Sequence, residues 1–383
     1  MNTVTAFEQG PIRPPSEAGS LLLRFTRNCP WNKCTFCPIY KGQNFSRRSL
    51  QEIKRDIDAV RAIVEESQNL SQSMGHGGQM SQAVLATIMT NPAYHACFRH
   101  VALWLYYGNG TVFIQDANSL VLPTATLVEA MRYLQEQVPG ITRITSYARS
   151  STVARKSLEE MKEIRDAGLN RIHIGLESGS DRVLEFIQKG VTARKHIDAG
   201  RKIIEAGMTL SEYVMPGLGG QAQSWEHAVE TARVLNAIDP HFIRLRSLRV
   251  PPHAPLHKDK AEGRFILLLD DEMVQEIRLF IESLEGIHST LTSDHIMNLL
   301  EEVEGVFPHG KARMLEVIDR YLAMPSTERL LFRLGRRGGA LRSLDDLSQP
   351  ALRHRLERAM HDLAAQTGGN LEALITELAD QYI

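Results

Sequence analysis

The chain is poor in the features that mark several large classes of protein. Four cysteines in 383 residues are too few for the disulfide framework of a small secreted domain. The 44 lysines and arginines nearly balance the 45 aspartates and glutamates, so no strong net charge attracts nucleic acid or an anionic membrane. No apolar run approaches the ~20 residues of a membrane span, and the N-terminus, MNTVTAFEQGPIRPP, lacks the segments of a secretory signal. We therefore expect a cytoplasmic protein without a membrane or nucleic-acid partner.

Short apolar segments alternate with amphipathic ones along most of the chain. Six of the apolar segments suit buried strands, namely LLLRF, GTVFIQ, ITRITSYA, RIHIGL, MTLSEYV and HFIRLRSLRV. Stretches with helical spacing of apolar residues follow them, and Ser49 and Gly168 are typical of a helix start and a helix end. Repeated strand–helix units favour parallel strands with crossover helices. The predicted fold is α/β, a partial (β/α)6 barrel of the TIM type with a helical C-terminal region.

The same pattern predicts three regions. Residues 1–19 are expected to form an extended arm, because they contain three prolines and little periodicity. Residues 20–265 form the barrel, with a polar, glycine-containing insertion at 67–82 that we expect to be flexible or to act as a lid. Residues 266–383 have helical periodicity and no evident strand, and one of the expected helices opens with Ser293, Asp294 and His295.

Three of the four cysteines lie in the segment NCPWNKCTFC, directly after the first predicted strand. Cys29, Cys34 and Cys37 have the spacing C-x4-C-x2-C. Thiolates bind soft metals and iron–sulfur clusters, and three of them leave one coordination position open, as a catalytic metal requires. One alternative is a zinc ion completed by a histidine, although none of the 14 histidines lies in or just after the loop. The other is three separate structural thiols.

This loop resembles that of the radical S-adenosylmethionine (radical SAM) superfamily, in its coproporphyrinogen-oxidase and Elongator-like branch. In that family, three cysteines after the first barrel strand hold a 4Fe–4S cluster, and S-adenosylmethionine chelates the fourth iron. The common family spacing is C-x3-C-x2-C, so this chain has one residue more between Cys29 and Cys34. Phe36 matches the family's aromatic residue before the third cysteine, where the backbone packs near the adenine.

The resemblance continues to about residue 250, in polar motifs that follow the later predicted strands. QDANSL would place Asp116, with Asn118 as a neighbour, against the methionine amino group, and Ser146 lies in the region that usually contacts the ribose. Parallel strands direct such groups to one face, where α/β barrels build active sites. Asp116 and Asn118 are also common turn residues, which is the alternative interpretation.

Two further motifs complete the resemblance. IGLESGS implies that Glu177 binds the ribose or the methionine part of the cofactor, and Lys189 would bind its carboxylate. MPGLGGQ, with Met215 and Gly217, implies a close backbone approach to the adenine. The alternatives are a solvated loop charge for Glu177 and a surface lysine for Lys189.

Several residues are candidates for contact with a substrate. Arg244 and Arg246 lie two apart in the sixth predicted strand, so alternation places them on one face, where they would bind a carboxylate or phosphate. The alternative is an exposed edge strand with solvated arginines. His295 and His76 are candidate acid–base groups, although a solvated loop position is the ordinary role for His76.

The resemblance implies an enzyme that cleaves S-adenosylmethionine reductively to a 5'-deoxyadenosyl radical, which abstracts hydrogen from a small organic substrate. It also implies an electron donor such as flavodoxin or ferredoxin. Only Cys97 remains outside the loop, which excludes a second all-cysteine cluster. The alternative function is a non-catalytic relative that carries or inserts a cofactor such as haem.

Overall fold

The computed structural model describes residues 6–366 and 370–381. Its strands are β1 (Leu21–Arg24), β2 (Thr26–Arg27), β3 (Ser46–Arg47), β4 (Thr111–Gln115), β5 (Arg143–Ala148), β6 (Leu169–Glu177), β7 (Thr209–Val214), β8 (Phe242–Leu245), β9 (Thr290–Thr292) and β10 (Gly305–Val306). Its helices are α1 (Leu50–Ser73), α2 (Gln82–Thr90), α3 (Ala96–Tyr107), α4 (Thr124–Gln137), α5 (Ser150–Val153), α6 (Leu158–Asp166), α7 (Asp181–Phe186), α8 (Ala193–Glu205), α9 (Gly220–Ile238), α10 (Leu256–Ala261), α11 (Asp270–Glu282), α12 (Lys311–Ala323), α13 (Ser326–Arg337), α14 (Pro350–Gln366) and α15 (Leu371–Asp380). None of the helices in this described part combines the length and apolarity needed to cross a bilayer.

Eight strands form one sheet in the order β1-β4-β5-β6-β7-β8-β9-β10. The pairs β1–β4, β4–β5 and β5–β6 are parallel, as are β7–β8 and β8–β9, whereas β10 pairs antiparallel with β9. All five residues of β4 are buried, as in a parallel sheet that helices cover on its faces. The predicted α/β class with a mostly parallel sheet is therefore confirmed.

Local sequence signals set the helix boundaries. Ser49 caps α1 in a capping box, in which its hydroxyl accepts from the Glu52 N–H (3.2 Å) and the Glu52 carboxylate accepts from the Ser49 N–H (2.8 Å). Gly168 follows the end of α6 at φ +109°, a backbone conformation that favours glycine. Both positions were predicted from the sequence.

Contacts divide the chain into two compact units. Unit 1 consists of the chain up to Asn32, Tyr40–Ile174 and Arg201–Leu210. Unit 2 consists of Lys33–Ile39, Gly175–Gly200 and the chain from Ser211 onward. Strands β6 and β7 each contribute residues to both units. The predicted regions 1–19, 20–265 and 266–383 follow a different partition and stay a prediction.

The described part of the predicted arm is anchored within unit 1. The Gln115 side chain, at the end of β4, accepts from the Gly10 N–H (2.8 Å) and donates to the carbonyls of Gly10 (2.9 Å) and Ile12 (3.1 Å). Glu17 is fully buried and accepts from Ser20 (2.6 Å) and Arg143 (2.9 Å). These bonds satisfy polar groups that would otherwise be costly to bury.

The segment 67–82 was predicted to be a flexible insertion, but its first part is helical in the structure. Residues 67–73 form the last two turns of α1, and Ser67 and Ser71 are buried there. The Ser71 hydroxyl donates to the Gln79 carbonyl (2.6 Å), which ties the following turn to the helix. Polar composition suggested a loop, but a hydrogen-bonded serine such as Ser71 is compatible with a buried helix face.

The C-terminal region corrects two expectations. Strands β9 and β10 lie within it, although no strand was expected after residue 266. The helix expected from Ser293 does not form. The described residues 293–304 have an irregular backbone instead. There the Ser293 hydroxyl donates to the Leu300 carbonyl (2.8 Å), and the apolar residues Met297, Leu300 and Val303 enter the core from a loop.

The stability of unit 1 should fall in mildly acidic solution because of His100. Its Nε2 accepts from the Leu22 N–H of β1 (3.0 Å), and burial, assisted by Arg13, lowers its pKa from 6.5 to about 4. As the pH falls from about 6.5 towards 4, the unfolded state takes up this proton first, so stability is lost over that range. Between pH 7 and pH 5 the wild type should lose about 1–2 kcal/mol more than His100→Gln.

Thermal unfolding at the two pH values measures this difference. The control is His76→Gln, since His76 is exposed in the turn after α1. Equal acid sensitivity of the wild type and His100→Gln would contradict the assignment.

Candidate functional site

The first part of the cysteine loop belongs to unit 1 and has an unusual backbone. Asn28 and Asn32 have φ values of +66° and +47°, in the left-handed region where asparagine is tolerated. Their side-chain amides donate to the carbonyls of Asn44 (2.6 Å) and Tyr40 (2.6 Å). The Asn32 N–H points to the Cys29 Sγ at 3.4 Å. Two residues with left-handed backbone, Asn28 before Cys29 and Asn32 after it, thus shape this part of the loop.

The second part of the loop belongs to unit 2 and is held by backbone bonds. The Thr35 N–H donates to the Ile187 carbonyl (2.9 Å), and the Thr35 carbonyl accepts from the Leu256 N–H (2.9 Å). Cys34 is buried and Cys37 is half-buried. Within residues 6–366 and 370–381, no three His, Cys, Asp or Glu side chains converge closely enough to hold a single metal ion.

Three of the predicted cofactor contacts in unit 1 are engaged with other residues. Asp116 is fully buried, and its carboxylate accepts from Arg24 Nε (2.5 Å) and from the Tyr40 hydroxyl (2.8 Å). Burial raises the pKa of Asp116, although Arg24 and Tyr40 oppose the shift. Asn118 donates to the Thr152 hydroxyl (2.8 Å) and is buried.

Ser146, the third of these contacts, is also fully buried. Its hydroxyl donates to the carbonyl of Tyr147 (3.1 Å). In this structure all three side chains form hydrogen bonds within unit 1.

Glu177 and Lys189 form an ion pair in unit 2. The Lys189 Nζ lies 2.9 Å from the Glu177 Oε1 and 5.7 Å from the centre of the Phe36 ring. Glu177 has φ +65°, which turns the chain at the end of β6. A Cβ at Gly175 would collide with the Glu177 carboxylate, so this glycine provides the space for the pair. The structure therefore brings Glu177, Lys189 and Phe36 together.

Glu212 is a further acidic residue that sequence reasoning missed. It lies in β7, is fully buried, and neither carboxyl oxygen has a hydrogen-bond partner among the described residues. Burial raises its pKa well above the ordinary value; Glu177 adds to the shift and Lys189 opposes it. A buried polar group without a partner is costly, which indicates that a ligand completes its hydrogen bonding. The signal in the sequence was an acid within the apolar strand TLSEYV.

Buried polar side chains hold the segment from Met215 to Gly217. The Met215 carbonyl accepts from His227 Nε2 (3.0 Å), while His227 Nδ1 faces the Ser178 hydroxyl (2.8 Å). The Gly217 N–H donates to the Glu276 carboxylate (2.6 Å). Gly217 has φ +86°, and a Cβ there would collide with the Met273 side chain, so only glycine fits.

A cavity of about 330 Å³ opens within unit 2 beside the third cysteine. Residues that line it include Phe36, Cys37, Met215, Arg246, His253 and His295. His253 was not identified from the sequence; its place in the proline-rich segment after β8 was the available signal. The cavity thus unites one predicted cluster ligand (Cys37), two predicted cofactor contacts (Phe36 and Met215), one predicted substrate contact (Arg246) and one candidate acid–base group (His295).

The two predicted substrate arginines have different environments. Strand β8 ends at Leu245, so its alternation does not extend to Arg246. Arg246 lines the cavity, whereas Arg244 is buried elsewhere, with Asp294 at 3.3 Å and the Thr292 hydroxyl at 3.4 Å. The expectation that both arginines share one face is therefore corrected.

The two candidate acid–base histidines also have different environments. His295 lines the cavity, and its Nδ1 accepts from the Met297 N–H (3.2 Å). Burial, reinforced by Arg246 and opposed by Asp294, lowers the pKa of His295 to about 4. His76 is exposed in unit 1 and does not line the cavity.

Comparison with known proteins shows a similarity to one family. A family model described as the Radical SAM superfamily matches residues 99–235. Over these residues the chain is similar to the radical SAM superfamily. Members of this superfamily use a 4Fe–4S cluster and S-adenosylmethionine. The matched residues begin after the cysteine loop, so the match does not itself assign the cluster ligands.

One curated relative and two solved structures illustrate the similarity. The Heme chaperone HemW of Bacillus subtilis (strain 168) is 25% identical over 182 residues, which are 46% of this chain and 47% of that protein. The chain thus spans about half the length of this relative. Coproporphyrinogen III oxidase (HemN) from Escherichia coli has 16% identity and a TM-score of 0.43 over 65% of this chain and 49% of that one. Methylornithine synthase (PylB) has 15% identity and a TM-score of 0.40 over 87% and 86%.

The donor groups of the chain fit these cofactors. Each thiolate of a 4Fe–4S cluster binds its own iron, so the thiols need not converge on one point as they must around zinc. Three cysteines leave one iron for another ligand. The buried Glu212 carboxyl, without a partner among the described residues, provides further hydrogen-bonding capacity for a polar ligand.

Substitution of Glu212 tests its protonation. Because burial raises the pKa of this carboxyl well above its ordinary value, Glu212→Gln should change the stability at pH 7 by less than about 1 kcal/mol, or increase it. When the pKa of a carboxyl is higher in the folded state than in the unfolded state, the protein loses folding stability as the pH rises above the unfolded-state pKa, here near 4.5. The advantage of Glu212→Gln over the wild type should therefore grow from pH 5 to pH 8 in thermal unfolding.

The contrasting variant is Lys189→Met. It removes the cation beside Glu177 and should destabilise by about 2–4 kcal/mol, because it leaves a buried charge without compensation. Strong destabilisation by Glu212→Gln across the whole pH range would show that Glu212 is ionised in the folded protein.

Proposed function

We propose that the protein is a radical SAM enzyme that acts on a small organic substrate, with Cys29, Cys34 and Cys37 as the cluster ligands. The observation that carries the proposal is the cavity of about 330 Å³ lined by Phe36 and Cys37. It provides space for a small molecule directly beside a cysteine of the loop. Its volume favours a small substrate over a macromolecule.

The cofactors supply one-electron cleavage of a sulfonium bond and a 5'-deoxyadenosyl radical that removes hydrogen from a substrate C–H. The side chains of this protein bind and orient. We propose that Glu177, Lys189 and Glu212 bind the polar parts of S-adenosylmethionine, since they form one buried group with both charge and spare hydrogen-bonding capacity. The Met215–Gly217 backbone would approach the adenine, because Gly217 presents no side chain.

Water exclusion is the second contribution of the protein. The cavity wall near Cys37 is largely apolar and includes Met215, Leu248, Ile296 and Met297. An apolar wall limits side reactions of a reactive intermediate with solvent. Asp116, Asn118 and Ser146 remain outside this set of contacts, because their polar atoms already bond within unit 1. An electron donor such as flavodoxin or ferredoxin is part of the proposal.

Haem carriage is the second candidate function. The observation that favours it is the Bacillus subtilis relative, which is named a haem chaperone. His253, His295, Met215 and Met297 also place imidazole and thioether groups around the cavity, and both types serve as axial haem ligands. A carrier would bind haem without consuming S-adenosylmethionine.

Anaerobic reconstitution with iron and sulfide tests the enzyme. The wild type should bind about four irons per chain and, after reduction, release 5'-deoxyadenosine from S-adenosylmethionine. Cys29→Ala, Cys34→Ala and Cys37→Ala should each lose most of the iron and all detectable product. Cys97→Ala is the matched control, since that thiol only contacts the Phe7 carbonyl (3.2 Å) and should retain both.

The outcome separates the candidates. Retention of iron and cleavage in any of the three loop variants would refute the ligand assignment. Tight haem binding by a reconstituted protein that forms no 5'-deoxyadenosine would replace the enzyme with the carrier.

A further inference from the structure

The charges around the cavity are unbalanced. No aspartate or glutamate lines it, and its two arginines are Arg246 and Arg249. Arg249 is neutralised by Asp380 (3.0 Å) and also donates to the Thr376 carbonyl (2.9 Å). Arg246 has no ion-pair partner in the part of the chain that the structure describes. Arg246, which is exposed, is therefore the cation at the cavity that has no ion-pair partner among the described residues.

His295 adds a neutral donor to the same cavity. Because its Nδ1 accepts from the Met297 N–H, its proton resides on Nε2. The low pKa of His295, about 4, keeps the ring uncharged at pH 7. The remaining polar atom is thus an N–H donor, which matches the donor character of Arg246.

Asn298 fixes these two groups in place. Its side chain donates to the Leu245 carbonyl (2.8 Å) and accepts from the Ser247 N–H (2.9 Å), the residues on either side of Arg246. The Arg246 N–H itself donates to the Val214 carbonyl (3.0 Å). Asn298 also lies three residues after His295, so one buried side chain connects the two donor segments.

The remainder of the lining is mostly apolar. Phe36, Leu248, Pro251, Ile296 and Met297 contribute to it. An apolar cavity with few convergent polar groups binds a molecule with an apolar body and one polar end. A single uncompensated arginine matches a group of charge −1, and its planar fork matches a carboxylate.

We propose that this cavity takes an apolar molecule with one carboxylate, and that Arg246 and the His295 Nε2–H bind that carboxylate. The inference rests on the proposed function in that it names the substrate class of the same site. It requires binding alone, so it is testable without turnover.

Equilibrium dialysis of the reconstituted protein at pH 7.5 provides the test. The probes are 2-naphthoate, its neutral analogue 2-naphthamide, and 2-naphthyl phosphate, which share one apolar body. The wild type should bind 2-naphthoate at least about tenfold more tightly than 2-naphthamide and more tightly than the phosphate. Arg246→Gln should abolish this preference while it leaves 2-naphthamide binding unchanged.

Two further variants sharpen the result. His295→Phe should weaken 2-naphthoate binding about three- to tenfold, since it removes one donor and keeps the ring. Arg244→Gln is the matched control, because Arg244 does not line the cavity, and should retain the preference. Iron content and circular dichroism confirm that each variant is folded and loaded.

Three outcomes would overturn the inference: equal binding of 2-naphthoate and 2-naphthamide, an unchanged preference in Arg246→Gln, or tighter binding of the phosphate. Failure of the proposed function gives a different result. A protein that discriminates between the probes but forms no 5'-deoxyadenosine retains this site and loses only the enzymatic assignment.

Discussion

Two neighbouring buried arginines of α13, Arg336 and Arg337, support the irregular loop on which unit 2 depends. Arg336 donates to the carbonyls of Asn298 (3.3 Å) and Leu299 (3.2 Å), and Arg337 donates to the carbonyl of Met297 (2.9 Å). Without these donors, consecutive buried carbonyls of a loop would lack partners, which is costly. The loop in turn carries side chains of the cavity, so remote helical residues determine its shape.

Carboxylates compensate both of these arginines. Arg336 pairs with Glu301 (2.8 Å) and Arg337 with Asp270 (2.6 Å). Burial would raise the pKa of Asp270, but Arg337, with Arg249 and Arg333, holds it below its usual range. The opposite balance applies at Glu212, where burial, with Glu177, outweighs Lys189 and raises the pKa well above its usual range. Unit 2 therefore contains a compensated ion-pair network beneath its loop and an uncompensated acid in its sheet.

Sequence reasoning succeeded where the signal is local. Capping by Ser49, the helix end at Gly168 and the apolar strands depend on neighbours a few residues away, and the structure has all of them. These features follow from short-range propensity and from the fixed direction of parallel strands.

The failures share a long-range cause. Met297, Leu300 and Val303 have helical spacing, yet arginines almost forty residues later hold this segment as a loop. Arg244 and Arg246 alternate in sequence, yet Asn298 bonds on both sides of Arg246 and the strand ends before it. The partners that Asp116 and Asn118 bond after β4 are likewise not revealed by any local pattern. Single-sequence periodicity contains no information on such partners.

Strand β10 affects how readily the sheet of this protein could aggregate with other copies in a concentrated solution. A parallel sheet that ended in a long strand would present a row of unpaired amides to which another chain can add. Here the sheet ends in two residues, Gly305 and Val306, and Pro308 follows two positions later without an amide hydrogen. So short an edge offers little template for strand addition, and it protects the sheet from edge-to-edge aggregation.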